Sequence, residues 1–234
     1  MAILHDKVLG SVRGTVRNLT FKQRSDVNYI QTKPRRHNLP MDSGSVFRRE
    51  QFRFTGKLSK EIHNSPLLKL TWEKAKTKKS WCAYDDIFKA NYNKIRYNNP
   101  DGVPVMFSGS GFKLINPVVQ KTITGYDIYT GKIGLIRSFN LINTCSITVI
   151  GIFLCTNPDL PEPGKSLIVS SFSTNVTVPD ILSPFNINME LTGYVKTYFN
   201  SGSIIKAFFT IAFLDKKEHP VSFSDILIYT SPPE

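Results

Sequence analysis

The sequence predicts an α+β protein, mainly β, in which an N-terminal β-hairpin arm and three short helices precede an antiparallel β-sandwich. Apolar residues recur at helical spacing from about residue 44 to 95. The period then changes from 3.6 to 2 after Asn98-Asn99-Pro100-Asp101-Gly102 and stays there to the end of the chain. No helical pattern interrupts the strand-like runs, which argues against alternating βαβ units. The expected organisation is an arm over 1–34, a basic helical region over 35–98 and a sandwich domain over 99–234.

The arm is read from the stretch Gly10 to Pro34. Two glycines four apart lead into an alternating run, a polar turn at Ser25-Asp26, and a second alternating run that Pro34 ends. The arms span about residues 15–22 and 27–33. Val16, Leu19 and Phe21 supply apolar positions on the first, and Val27, Tyr29 and Ile30 on the second. A hairpin of this size is marginal alone in water. It is expected to pack on its own domain or to reach a neighbouring chain by adding strands to a sheet edge.

The run Gly10-x-x-x-Gly14-x-Val16-x-Asn18-Leu19, followed by Tyr29-Ile30-x-x-x-Pro34, resembles the N-terminal signature of a family of uncharacterised proteins found in Bacteroidota and their phages. Where that family carries a second glycine before the Asn, this chain has Arg17. The resemblance implies a helical middle and a β-rich C-terminal half. It implies no activity.

Beyond the proline-bounded linker that holds Arg35 and Arg36, Phe47, Phe54, Leu58 and Ile62 form an apolar stripe on a helix over about 44–63. Arg49, Arg53, Lys57 and Lys60 form a second, cationic stripe on the same helix. Ser65-Pro66 starts the next helix, with Leu68, Trp72 and Ala75 as its apolar face and Lys74, Lys76, Lys78 and Lys79 crowding its end. Ser80 is the expected cap of a third, whose stripe of Trp81, Tyr84, Phe88, Asn91 or Tyr92, and Ile95 is almost entirely aromatic. Three short helices in a row need something to pack on.

Candidate strands follow at about 103–107, 112–115, 118–129, 132–140, 145–155, 166–178, 185–199, 204–214 and 225–230, with Thr130-Gly131 and Asn200-Ser201-Gly202 as hairpin turns. The alternation of Phe185 to Leu191 marks a strand with one buried and one wet face. The runs at 145–155 and 204–214 are apolar on both faces and are expected to be central strands, covered on the second face by the helices or by another subunit.

Composition narrows the function. The 234 residues carry a net charge of +12, of which residues 1–98 account for +13 and residues 99–234 for −1. Basicity confined to one part of a chain points that part at an acidic partner. Cys82, Cys145 and Cys155 match no zinc spacing or disulfide framework, and His5, His37, His63 and His219 do not cluster. Ser108-Gly-Ser-Gly111 reads as a loop, and Asp85-Asp86 lacks a third ligand. No nucleophile elbow, phosphate loop or dinucleotide fingerprint is present, so neither catalysis nor a cofactor is expected. The first residues lack a secretory pattern and no apolar run has membrane length. Cytoplasmic synthesis and residence in a virion or assembled particle are expected.

The leading expectation is a structural protein that assembles in multiple copies. The alternative is a nucleic-acid-binding protein that grips the backbone through Arg35, Arg36, Arg49, Arg53, Lys57, Lys60, Lys76, Lys78 and Lys79, with Trp72, Trp81 or Tyr84 as stacking surfaces. A third expectation is a carbohydrate- or surface-binding sandwich with Tyr126, Tyr129, Tyr194 and Tyr198 as outward aromatics.

Overall fold

A computed structural model describes residues 2–4, 14–16, 19–24, 27–32, 42–76, 82–96, 102–133, 146–156, 167–176, 184–201 and 203–231. They are α+β and mainly β, with every pair of named strands antiparallel. The chain divides into two compact units, Met1–Asp42 and Ser43–Glu234.

The first unit holds β1 (Ala2–Leu4), β2 (Gly14–Val16), β3 (Leu19–Arg24) and β4 (Val27–Thr32) in one sheet of order β1-β4-β3-β2. The expected first arm, 15–22, is divided between β2 and β3, which pair with each other through Val16 and Leu19. β3 also pairs with β4, with Phe21 opposite Ile30, Lys22 opposite Tyr29 and Arg24 opposite Val27. Since successive residues alternate faces, Leu19, Phe21 and Ile30 share one face of this sheet and the Val27 and Tyr29 positions belong to the other.

In the second unit, α1 (Ser43–Asn64) buries Gln51, Phe54, Thr55, Leu58, Ser59 and Ile62 along one side. α2 (Pro66–Ala75) begins with proline as expected, though Ser65 makes no side-chain capping bond, and buries Leu68 and Trp72. α3 (Ala83–Tyr92) buries Ala83, Ile87 and Asn91. The aromatic stripe read from the sequence is thus not its buried face. Tyr84, Phe88 and Tyr92 are half-buried beside it, stacked along the helix with Phe88 and Tyr92 rings 5.7 Å apart. Ile87 joins the cluster that holds Phe54, Leu58 and Ile62 of α1, and Asn91 is buried on the same side of α3.

The strands of this unit are β5 (Leu114–Ile115), β6 (Val118–Lys121), β7 (Gly125–Tyr129), β8 (Lys132–Ile133), β9 (Ser146–Thr156), β10 (Leu167–Val176), β11 (Asn186–Glu190), β12 (Ile204–Leu214), β13 (Pro220–Phe223) and β14 (Leu227–Thr230). A five-stranded sheet has the order β10-β9-β12-β13, with β14 also on β12; a three-stranded sheet has the order β11-β7-β6; β5 and β8 form a pair.

Several expectations are corrected here. Residues 103–107 are irregular rather than a strand, and their backbone is held by side chains: Asn91 Nδ2 donates to Val105 O at 3.0 Å, Val105 N–H donates to Asn91 Oδ1 at 2.8 Å, and Trp72 Nε1 donates to Met106 O at 3.0 Å. The run 118–129 is two strands folded back at Thr122–Thr124. The run 185–199 is β11 followed by a helix, α4 (Gly193–Asn200), so a helix does intervene. Gly193 at φ +61° breaks the strand there, and Val195 and Phe199, one helical turn apart, are the buried pair. Thr130-Gly131 does not close a hairpin, because β7 and β8 belong to different sheets. Gly131 is required there for another reason: a Cβ would sit 2.0 Å from Ile115 O.

The double-sided strands are covered within the unit. Ile150, Ile152 and Leu154 of β9 and Phe208, Ala212 and Leu214 of β12 share one buried cluster with Phe54, Leu58, Ile62, Leu68, Trp72 and Ile87 of the helices. Ile147, Val149 and Phe153 of β9 and Phe209, Ile211 and Phe213 of β12 share the other with Tyr126, Ile128, Ile187 and Met189 of β7 and β11. Alternation along two strands therefore feeds two cores, each fully buried side chain contributing about 1.5–3 kcal/mol. Gly151 lies opposite Phe209, and a Cβ there would come within 2.8 Å of the Phe153 ring.

Candidate functional site

On α1, Arg49, Arg53, Lys57 and Lys60 fall on the side opposite the buried row when each residue turns the helix by about 100°. Lys60 and Arg53 are exposed, and Arg49 and Lys57 are half-buried. Arg53 is engaged at home, its guanidinium nitrogen donating to both carboxylate oxygens of Glu50 at 2.8 and 2.9 Å. Lys76 is exposed just past the end of α2. Arg35, Arg36, Lys78 and Lys79 lie outside the described residues, so the stripe on α1 is the part of the basic set that the structure brings together.

The aromatics proposed as stacking surfaces do not serve it. Trp72 is buried with its ring nitrogen committed to Met106. Tyr84 is half-buried, with its hydroxyl donating to Gly56 O at 3.3 Å, and Trp81 lies outside the described residues.

For the N-terminal set, Leu19 is 37% exposed and Phe21 and Ile30 are half-buried. Val16, Val27 and Tyr29 are placed by backbone register alone, with their side chains outside the described set.

Among the described residues, no three His, Cys, Asp or Glu side chains gather as a metal site. Cys155 is buried, and that burial pushes its thiol up to about 12, leaving it protonated and unreactive at neutral pH. Cys82 is exposed on the residue before α3. Ser108 to Gly111 is an irregular loop, and Gly111 is pressed against the backbone of Ser224 and Asp225. No helix among the described residues is long and apolar enough to cross a membrane.

A feature that sequence reasoning did not assemble is the outer face of the three-stranded sheet. Val118, Gln120, Asp127, Tyr129, Asn186 and Asn188 line a shallow cavity of about 520 Å³ there. Of the four tyrosines expected to face outward, Tyr129 lies in this cavity and is 41% exposed, while Tyr126 is fully buried on the inner face. Tyr194 is 85% exposed and Tyr198 half-buried, both on α4 rather than on a strand. The parity of β7 was a usable signal, since Tyr126 shares its face with apolar Ile128 and Tyr129 shares its face with Asp127.

Comparison with known proteins finds no matching family model, no matching curated protein and no matching solved structure.

Proposed function

We propose that this protein is a non-enzymatic structural component that assembles in multiple copies, with its N-terminal sheet as the assembly element. In this reading the two sheets that share the Tyr126 core form an antiparallel β-sandwich, and the α1–α3 layer backs it. The observation that carries the proposal is the make-up of the first unit. Its described residues form one layer of four short strands, with apolar Leu19, Phe21 and Ile30 on one face and no helix or second sheet of its own. A single-layer sheet needs a partner for its apolar face and for its two edge strands, and a neighbouring copy supplies both. Placement in a phage virion or related particle, as a capsid, tail or adaptor protein, rests on the resemblance of Gly10–Pro34 and is analogy. That four cations of α1 line up opposite its buried row favours a second reading, in which the basic helices hold a nucleic-acid backbone.

The mass of the full chain and of a chain lacking residues 1–34, measured by light scattering at low and high salt, tests both. A defined oligomer that persists in high salt and becomes a folded monomer on deletion is the expected result. An oligomer unchanged by deletion overturns the assembly role of the arm. A monomer that gains mass only with added DNA or RNA at low salt, and loses that gain in the triple variant Arg49→Ala, Arg53→Ala, Lys57→Ala, replaces it with the second reading.

A further inference from the structure

We propose that the outer face of β6, β7 and β11 is a binding site for a neutral saccharide unit. Register builds it in two cross-strand rows. Gln120, Asp127 and Asn188 are direct neighbours across the three strands, and beside them so are Val118, Tyr129 and Asn186. Asn188 Nδ2 donates to Asp127 Oδ1 at 2.7 Å, which fixes both planar groups in one orientation. Asp127 keeps its second carboxylate oxygen as an acceptor, and the amides of Asn188, Gln120 and Asn186 offer donors and acceptors side by side. The second row supplies the apolar part: Tyr129 and Val118 are 41% and 44% exposed, a flat ring next to a methyl surface.

That division matches the two aspects of a pyranose ring, a C–H face that lies on an aromatic and a rim of hydroxyls that both donate and accept.

Two features separate this face from a merely solvated strand surface. Asn and Asp are disfavoured in strands, yet three of the six lining residues are Asp127, Asn186 and Asn188, on the central strand and one flanking strand. Residues placed against local preference mark positions selected for something other than folding. Among the described residues, no Lys or Arg lines this cavity, and Asp127 is the charged group there. The Asp127 carboxylate disfavours phosphates, sulfates and uronates, and an uncharged polyhydroxyl ligand suits the row of amides better. It shares no residue with the stripe on α1.

The test is an array of neutral and anionic oligosaccharides probed with the fluorescently labelled full chain, alongside the variants Tyr129→Ala, Asp127→Ala and Lys132→Ala. Circular dichroism of each variant confirms an unchanged fold, as these positions are at the surface. The proposal expects retention on neutral glycans, a loss of about tenfold or more for Tyr129→Ala and Asp127→Ala, and no change for Lys132→Ala. It is overturned if no neutral glycan retains the protein, if retention is confined to anionic glycans, or if the Tyr129 and Asp127 variants bind as the parent does.

Discussion

Tyr126 is fully buried among Phe153, Phe199, Phe209 and Tyr229, and its hydroxyl finds no hydrogen-bond partner among the described residues. Burial raises its pKa, with smaller contributions from Tyr229 and Cys155, so the group stays neutral at any physiological pH. A buried polar group left unpaired costs about 1–3 kcal/mol, while the ring itself makes edge contacts worth keeping. Tyr126→Phe is expected to raise stability by about 1 kcal/mol, read as a higher urea midpoint at unchanged slope; a lower midpoint would show that the hydroxyl is satisfied. Asn91 is the opposite case. Its amide joins α3 to residues 103–107 through both atoms, and it was legible in the sequence only as a polar residue at a core position. Nothing local indicates which backbone such an amide will satisfy.

At the scale of elements, the turn Asp215–His219 between β12 and β13 is held by one carboxylate. Asp215 Oδ1 accepts from His219 N–H at 2.9 Å and from Lys217 N–H at 2.8 Å. The His219 amide is the main cause that holds the Asp215 carboxyl below its usual range; desolvation opposes it, and the Lys217 amide adds to the lowering. A carboxyl lowered in the folded state adds stability above its unfolded pKa, and that contribution is lost as pH falls through the folded value. Exchange protection of the Lys217 and His219 amides should therefore survive acidification through the ordinary aspartate range and disappear only below it. In Asp215→Asn the protection should not vary with pH over that window; loss of protection already at the ordinary aspartate pKa would contradict the turn geometry. The neighbouring element α4 shows where pattern reading fails. Phe185 to Leu191 alternates cleanly and predicts a strand on to 199, but β11 ends at Glu190 and α4 begins at Gly193, at positive φ. Val195 and Phe199 at helical spacing were the available signal.

For the whole molecule, the decisive fact is that β9 and β12 serve two cores at once. The change of period near Asn98 looked like a domain boundary, yet helices and strands on either side of it lie in one compact unit. A chain of residues 99–234 alone would expose Ile150, Ile152, Leu154, Phe208 and Leu214, a patch far larger than soluble monomers tolerate. It is expected to aggregate or to bind the dye ANS strongly, whereas residues 43–234 should unfold in one cooperative transition. A soluble 99–234 fragment with native-like cooperativity would show that the helices are dispensable cover.

The amino-acid sequence by itself determined the three N-terminal helices with starts near Ser43 and Pro66, the mainly β composition and the identity of the two central strands. Those follow from periods of 3.6 and 2, which are local properties. Only the tertiary structure decided that the helices cover the even-numbered face of β9 and β12, and that β7 and β8 part company at Gly131. It also decided that Trp72 is spent on Met106 rather than left to stack. The row of Gln120, Asp127 and Asn188 belongs to the same class, because it joins strands whose residues lie up to 68 positions apart in the chain. Strand order and facing depend on non-local closure, which the alternation of a single strand does not encode.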